Sequence, residues 1–120
     1  LTELRRTKAP AVLLELGYHD NAADAMWVQE HIGLIAQTLV QALTKYFGLP
    51  YVYPGPSQPG LAVTDSGGPI NLRSYPSVQG QVIVQIPNGS TVTVFGRYRG
   101  WYVVLYGDAL GYANSAFIRL

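Results

Sequence analysis

Two antiparallel strands joined by a tight turn are predicted over residues 91–106, which read TVTVFGRYRGWYVVLY. Side chains alternate between the two faces of a strand, so every second residue lies on the same face. Apolar residues follow this period of two in both halves of the stretch, and Arg99-Gly100 separates the halves. Evenly spaced short strands of this kind are typical of a closed or nearly closed β-barrel, which we predict for residues 61–120. Further strands are predicted at 61–64, 70–73, 81–86 and 109–113.

Composition limits the functions that the chain can have. Eight Lys and Arg residues stand against seven Asp and Glu in 120 residues, a net charge of +1. This balance lacks the strong positive charge of a nucleic-acid binder. The absence of cysteine excludes disulfides and thiolate metal sites. No run of about 20 apolar residues predicts a membrane span. The first residue is not Met, and we expect a piece of a longer protein.

Residues 1–48 have a different pattern, which predicts an incomplete α/β fragment with one strand and one long amphipathic helix. The apolar run 10–16 is typical of a strand buried on both faces of a parallel sheet. Glu15 lies at its carboxyl end, where open α/β sheets place active sites. Asn21 is a good N-cap for a short helical turn, and apolar residues then recur at helical spacing from Ile32 to Phe47.

The predicted strand at 10–16 has no neighbouring strands in the sequence. Buried N–H and C=O groups need partners, so we expect residues 1–20 to be disordered or paired in a non-native way. Residues 49–60 hold four prolines and no charge. They predict an extended, semi-rigid linker between a domain at 1–48 and a domain at 61–120. A proline-rich ligand for another domain is the alternative.

The second part carries a family resemblance in three stretches. Residues 70–77 read INLRSYPS, residues 100–104 read GWYVV, and residues 111–118 read GYANSAFI. In this order and spacing they resemble a bacterial SH3 domain, with Tyr75 in place of the usual glycine. The resemblance implies an SH3-like barrel at 61–120, located outside the cytoplasm, in the cell wall or secreted. Such a module commonly tethers its parent protein to cell-wall peptidoglycan.

The first part resembles another family. Residues 6–21, RTKAPAVLLELGYHDN, followed by Asp24 and the long helix, are similar to the C-terminal end of zinc-dependent N-acetylmuramoyl-L-alanine amidases. The resemblance implies that Glu15 assists catalysis at zinc in the parent enzyme. The family's zinc ligands, two histidines and a glutamate, are expected upstream of this chain. We therefore expect the chain alone to bind no zinc and to be inactive.

Histidine spacing also argues against a metal site within the chain. Zinc needs three or four converging ligands, whereas His19 has only Asp20 nearby and His31 lies in a predicted helix without a ligand four residues away. Two interpretations of His19 remain open: a residue of the parent's substrate cleft, or a solvated loop residue.

Aromatic residues beside a cation give the barrel a candidate binding surface. Aromatic faces next to an arginine suit sugar rings and short peptides. A core position is the alternative for Trp101. Arg73 is predicted to hold a turn by bonding backbone carbonyls, with ligand contact as its alternative. The candidate ligand-binding residues are Tyr75, Tyr98, Arg99, Trp101 and Tyr112.

The predicted function is part of a peptidoglycan hydrolase, an autolysin that cleaves the N-acetylmuramoyl–L-alanine amide bond. Its partners would be peptidoglycan or muropeptides, with no nucleic acid and no membrane span, and a monomer is expected. The first alternative is a stand-alone cell-wall or peptide-binding module without catalytic activity. The second is a domain that captures proline-rich peptides, including its own linker.

Overall fold

The structure, a computed structural model, describes residues 2–53 and 55–120, apart from the side chain of Glu3. It divides the chain into two units, Leu1–Ala42 and Leu43–Leu120. The first unit is helical, and the second contains all the strands assigned within the described residues. No helix among those residues is long and apolar enough to cross a membrane.

The described residues of the N-terminal part form three helices: α1 Thr2–Arg6, α2 Ala22–Glu30 and α3 Ile32–Tyr46. Asn21 caps α2 as predicted, because its side-chain oxygen accepts hydrogen bonds from the backbone N–H groups of Ala23 and Asp24. Gly48 lies just beyond α3 with φ of 65°, a left-handed conformation that glycine adopts without strain. The amphipathic helix is therefore confirmed, and α2 is longer than the predicted turn.

The strand predicted at 10–16 does not form. These residues have no regular secondary structure, and all of them are exposed. A strand buried on both faces needs a neighbouring strand on each side to pair its N–H and C=O groups. The described residues of the first unit supply none. The predicted α/β fragment is thus helical here, and the disorder expected for residues 1–20 stays a prediction.

The second unit is a seven-stranded antiparallel sheet in the order β3-β2-β6-β5-β4-β1-β7. This confirms a mainly β fold, and the strands predicted from Ile70 onward are all present. The first strand begins earlier than predicted, and a short 3₁₀ helix at Ser115–Phe117 with a final strand was not predicted. The strands are β1 Gln58–Ala62, β2 Ile70–Arg73, β3 Val82–Ile86, β4 Thr91–Tyr98, β5 Trp101–Tyr106, β6 Ala109–Asn114 and β7 Ile118–Arg119.

Every strand contributes to one apolar core. On β5, Val104 is fully buried, while Tyr102 and Tyr106 pack against the core from the same face. This confirms the period of two predicted for β5, and it turns Trp101 and Val103 to the opposite face. The buried core residues are Ala62, Ile70, Leu72, Ile86, Val92, Val94, Val104, Ala113 and Ile118.

The predicted linker precedes β1 as residues 50–57, called the proline-rich segment below. Val52 and Gly55 of this segment contact the sheet. The Gly55 N–H donates to the Phe95 carbonyl at 3.3 Å. Gly96 lies so close to Val52 that a Cβ atom on Gly96 would be 2.7 Å from Val52 Cγ1. The segment continues into β1, whose Gln58 pairs with Val94 of β4. The segment is therefore attached to β4 at Val52 and Gly55 and does not form a free spacer.

Candidate functional site

A groove of about 440 Å³ lies on the second unit, at the ends of three strands. Two loops, β1–β2 and β2–β3, and the 3₁₀ helix border it. Its walls combine two aromatic side chains with amide, hydroxyl and charged groups. The lining residues are Thr64, Asp65, Ser66, Pro69, Ile70, Asn71, Arg73, Val78, Trp101, Asn114 and Phe117.

Strand register brings the central lining residues together. Trp101 of β5 pairs with Asn114 of β6, and Arg73 of β2 pairs with Tyr112 of β6. Asn71 lies two residues before Arg73, and Asn114 two residues after Tyr112, so in antiparallel strands they are at the same level. Their side chains share the face opposite the core, because residues two apart lie on one face.

Hydrogen bonds fix the β1–β2 loop at the edge of the groove. The Thr64 N–H donates to Asn88 Oδ1 at 2.9 Å, and Thr64 Oγ1 donates to the Gly68 carbonyl at 2.7 Å. Gly67 has φ of 72°, which turns the chain back toward Thr64. Asp65 lies within this turn. The loop therefore holds the Asp65 backbone at a defined place beside the groove.

Asn114 fixes the opposite edge. Its side-chain oxygen accepts a hydrogen bond from the Ala116 N–H at 2.9 Å and so caps the 3₁₀ helix that carries Phe117. Ser115 Oγ donates to the Gly100 carbonyl at 3.0 Å, which ties this helix to the β4–β5 turn. Trp101 follows that turn directly. The two aromatic residues of the groove are thus held by one local network.

Arg73 has the role predicted for it. Its guanidinium donates to the Gly80 carbonyl at 2.7 Å, which holds the β2–β3 loop against β2. The side chain is half-buried and also lines the groove. Arginine has five N–H donors, so one bond to Gly80 leaves others for a ligand.

The predicted binding residues fall into two places. Trp101 lines the groove and is half-buried, so it is not a core residue. Tyr98 pairs with Trp101 across the β4–β5 turn, and the Arg99 guanidinium lies 5.3 Å from the centre of the Tyr98 ring. Arg99 has φ of 53°, a left-handed conformation that costs a non-glycine residue of order 1 kcal/mol. These three residues form one aromatic and cationic surface next to the groove.

The other two predicted binding residues, Tyr75 and Tyr112, lie next to each other at a second location. Burial raises the pKa of Tyr112, and the neighbouring Tyr75 raises it further. Neither tyrosine lines the groove, although Tyr112 shares a strand face with Asn114. Among the groove residues that were not predicted from the sequence are Asp65, Asn71, Asn114 and Phe117. Asn114 and Phe117 lie in a stretch that carries the family resemblance, whereas no local signal marks Asp65 as a groove residue.

The described residues of the first unit offer no metal-binding arrangement. Glu15 lies exposed in the irregular segment, and His19 lines a shallow cleft of about 280 Å³ beside α2. The His31 ring stacks on Trp27 with ring centres 4.4 Å apart. No three His, Asp or Glu side chains converge among the described residues, which exclude the side chain of Glu3. These residues therefore do not supply a zinc ligand set.

Comparison with known proteins finds relatives for parts of the chain. The curated cell-wall protein "Probable cell wall amidase LytH" of Staphylococcus aureus is 46% identical over 46 residues. That match covers 37% of this chain, and the chain spans only 16% of the relative's length. Solved structures of NlpC2 and NlpC1 from Trichomonas vaginalis align with a TM-score of 0.49 at 24% identity. They cover 54% of this chain and 23% and 22% of their own chains.

A family pattern matches most of the sheet. Residues 67–119 match the family described as the bacterial SH3 domain, and this range contains six of the seven strands. It also contains the groove residues from Pro69 to Phe117. The match confirms the resemblance predicted for the second part, while the amidase resemblance of residues 1–48 stays a prediction. The stretch 67–119 is therefore similar to a bacterial SH3 domain.

Proposed function

We propose that the barrel binds cell-wall peptidoglycan through the groove beside Trp101. The observation that carries the proposal is the combination of aromatic walls with free amide donors in a bacterial SH3 domain. Trp101 and Phe117 offer flat apolar surfaces to a ligand. Such surfaces with a few placed polar groups are typical of sites for small ligands and short polymers.

The two asparagines favour a ligand rich in carbonyl groups. Asn71 Oδ1 accepts a hydrogen bond from Gln85 at 3.2 Å, and Asn114 Oδ1 accepts one from Ala116 at 2.9 Å. Both amide oxygens are occupied, while neither NH₂ group has an acceptor in the described part of the chain. These NH₂ groups can donate to peptide carbonyls or to the acetamido groups of amino sugars.

The barrel would then serve a peptidoglycan hydrolase as its wall-targeting part. The similarity to a probable cell wall amidase and the PAVLLELGYHDN segment support a parent that cleaves the N-acetylmuramoyl–L-alanine amide bond. Glu15 would act in that parent, and any zinc there would depend on ligands outside this chain. Binding through the barrel raises the local concentration of the attached part at the wall. Such a protein acts outside the cytoplasm.

A binding module without catalytic activity is the second candidate. It is favoured by the exposed position of Glu15 and by the absence of converging metal ligands among the described residues. Capture of the chain's own linker in the groove finds no support. The described residues of the segment 50–57 do not line the groove, and Gly55 is bonded to β4.

Sedimentation with purified bacterial sacculi tests the proposal. We expect the full chain to co-sediment, and Trp101→Ala to weaken binding by about tenfold or more, as for a buried aromatic contact. Trp27→Ala is the matched control, because Trp27 lies on α2 in the first unit. Equal binding by a folded Trp101→Ala variant would contradict the proposal. Release of peptidoglycan amide products by the chain alone, with added zinc, would contradict its predicted inactivity.

A further inference from the structure

We infer that the groove selects a peptide bearing a primary ammonium group, and that Asp65 provides the opposite charge. This inference rests on the proposed function and specifies its ligand. Asp65 and Arg73 are the two charged residues among those that line the groove. The Asp65 side chain is exposed, and it has no hydrogen bond or ion pair with any described residue. An unpaired carboxylate therefore faces whatever occupies the groove.

The position of Asp65 is set before a ligand arrives. The bonds from Thr64 to Asn88 and to Gly68 hold the turn on both sides of Asp65. The Gly67 N–H also donates to the Thr64 carbonyl at 3.2 Å. Because the backbone around Asp65 is ordered before binding, a ligand that pairs with this carboxylate does not have to order the loop. The entropic cost of binding is therefore lower.

The chemistry of a single carboxylate favours an ammonium group over a metal ion. Calcium needs six to eight oxygen ligands and usually several carboxylates, and the groove has one. A primary ammonium needs a single anionic partner and is further stabilised beside an aromatic ring such as that of Trp101. Glycan strands without free amines offer Asp65 no positive charge. The carboxylate thus distinguishes the peptide part of the wall from its sugar part.

The remaining donors suit the rest of such a peptide. The NH₂ groups of Asn71 and Asn114 can bond its carbonyls, and the free N–H groups of Arg73 can bond a carboxylate. Asp65 and Arg73 form no ion pair with each other, so both charges remain available. A peptide with one ammonium and one carboxylate group therefore matches the groove in charge and in hydrogen bonding.

The experiment compares muropeptides before and after chemical acetylation of their amines. Muropeptides are released from purified sacculi by a muramidase, and half are acetylated. Binding to the full chain is followed through the Trp101 indole signal by NMR titration. The variants are Asp65→Asn and, as the matched control, Asp108→Asn, because Asp108 is an exposed aspartate in the β5–β6 turn outside the groove.

For the wild-type chain, acetylation should weaken binding by about two- to five-fold, as expected for one exposed ion pair. Asp65→Asn should weaken binding of the unmodified peptides by the same factor as acetylation does. The Asp65→Asn variant should bind the acetylated and the unmodified preparations with equal affinity. Asp108→Asn should behave as the wild type. Equal wild-type affinity for both preparations, or unchanged discrimination by Asp65→Asn, would overturn the inference and leave wall binding intact. Failure of the wild type to bind sacculi or either preparation would instead overturn the proposed function.

Discussion

Replacement of Gly96 by alanine tests whether the proline-rich segment belongs to the barrel. The new Cβ atom would lie 2.7 Å from Val52 Cγ1 and 3.3 Å from the Tyr53 carbonyl oxygen. The first distance is shorter than real Cβ atoms show, so either the segment shifts or it detaches from β4. Truncation of Val52 to alanine removes the Cγ1 atom and with it the closest contact.

The cost of Gly96→Ala is limited by how strongly the segment is attached. A forced contact in a packed region costs about 1–3 kcal/mol. The hydrogen bond from Gly55 to Phe95 contributes about 1 kcal/mol. Half-burial of Val52 contributes about 1 kcal/mol more, and the ordering of the backbone offsets part of this gain. Detachment of the segment therefore costs less free energy than the forced contact. We expect Gly96→Ala to lower the free energy of unfolding by about 1 kcal/mol.

Urea denaturation of the wild-type chain, of both single variants and of the double variant measures the coupling between the two positions. In the Val52→Ala background, Gly96→Ala should be close to neutral, which gives a coupling energy of about 1 kcal/mol. Gly100→Ala serves as the control, since a Cβ there meets no atom within 4 Å, and its effect should be the same in both backgrounds. If Gly96→Ala lowers the free energy of unfolding equally in the wild-type chain and in the Val52→Ala background, the contact between the proline-rich segment and β4 is refuted.

Three other predictions concern the core, a tyrosine and a helix cap. Leu72→Ala should remove about 2–5 kcal/mol from a barrel this small and leave it largely unfolded by circular dichroism, because Leu72 is completely buried. The pKa of Tyr112 is raised above 10.0, so the folded state keeps a proton that the unfolded state loses, and stability should fall as pH rises through the folded pKa. Urea denaturation at about pH 9 and about pH 11 should show this loss in the wild type and a smaller loss in Tyr112→Phe. Asn21→Ala should lower the helix signal of α2 at a cost of about 1 kcal/mol, whereas Asn21→Asp should retain it.

Local patterns were sufficient to predict most strands of the sheet. Alternation along β4 and β5 is a property of neighbouring residues, and the turn at Arg99-Gly100 separates the two strands as predicted. The start of β1 was missed because prolines are unusual in strands. Pro59 is tolerated since β7 pairs with β1 only at Leu61 and Ala62, so β1 has one neighbour at that position.

The errors arose where structure depends on distant residues. The run 10–16 has the composition of a buried strand, but composition cannot supply the neighbouring strands that pair with it. The groove was only partly predicted for a similar reason. Trp101 was predicted as a binding residue from its own motif, and its place on the groove fits that prediction without testing it. Asp65 joins it only because the sheet topology brings the β1–β2 loop beside the start of β5.

The attachment of the proline-rich segment to β4 has a consequence for how such a barrel can be exchanged between proteins. A recombination event that joined a foreign sequence at Leu61 would remove Gln58, Pro59 and Gly60, which pair with β4. It would also remove Val52 from its contact with Gly96. A transferred domain that keeps these contacts with β4 must therefore begin at or before Val52.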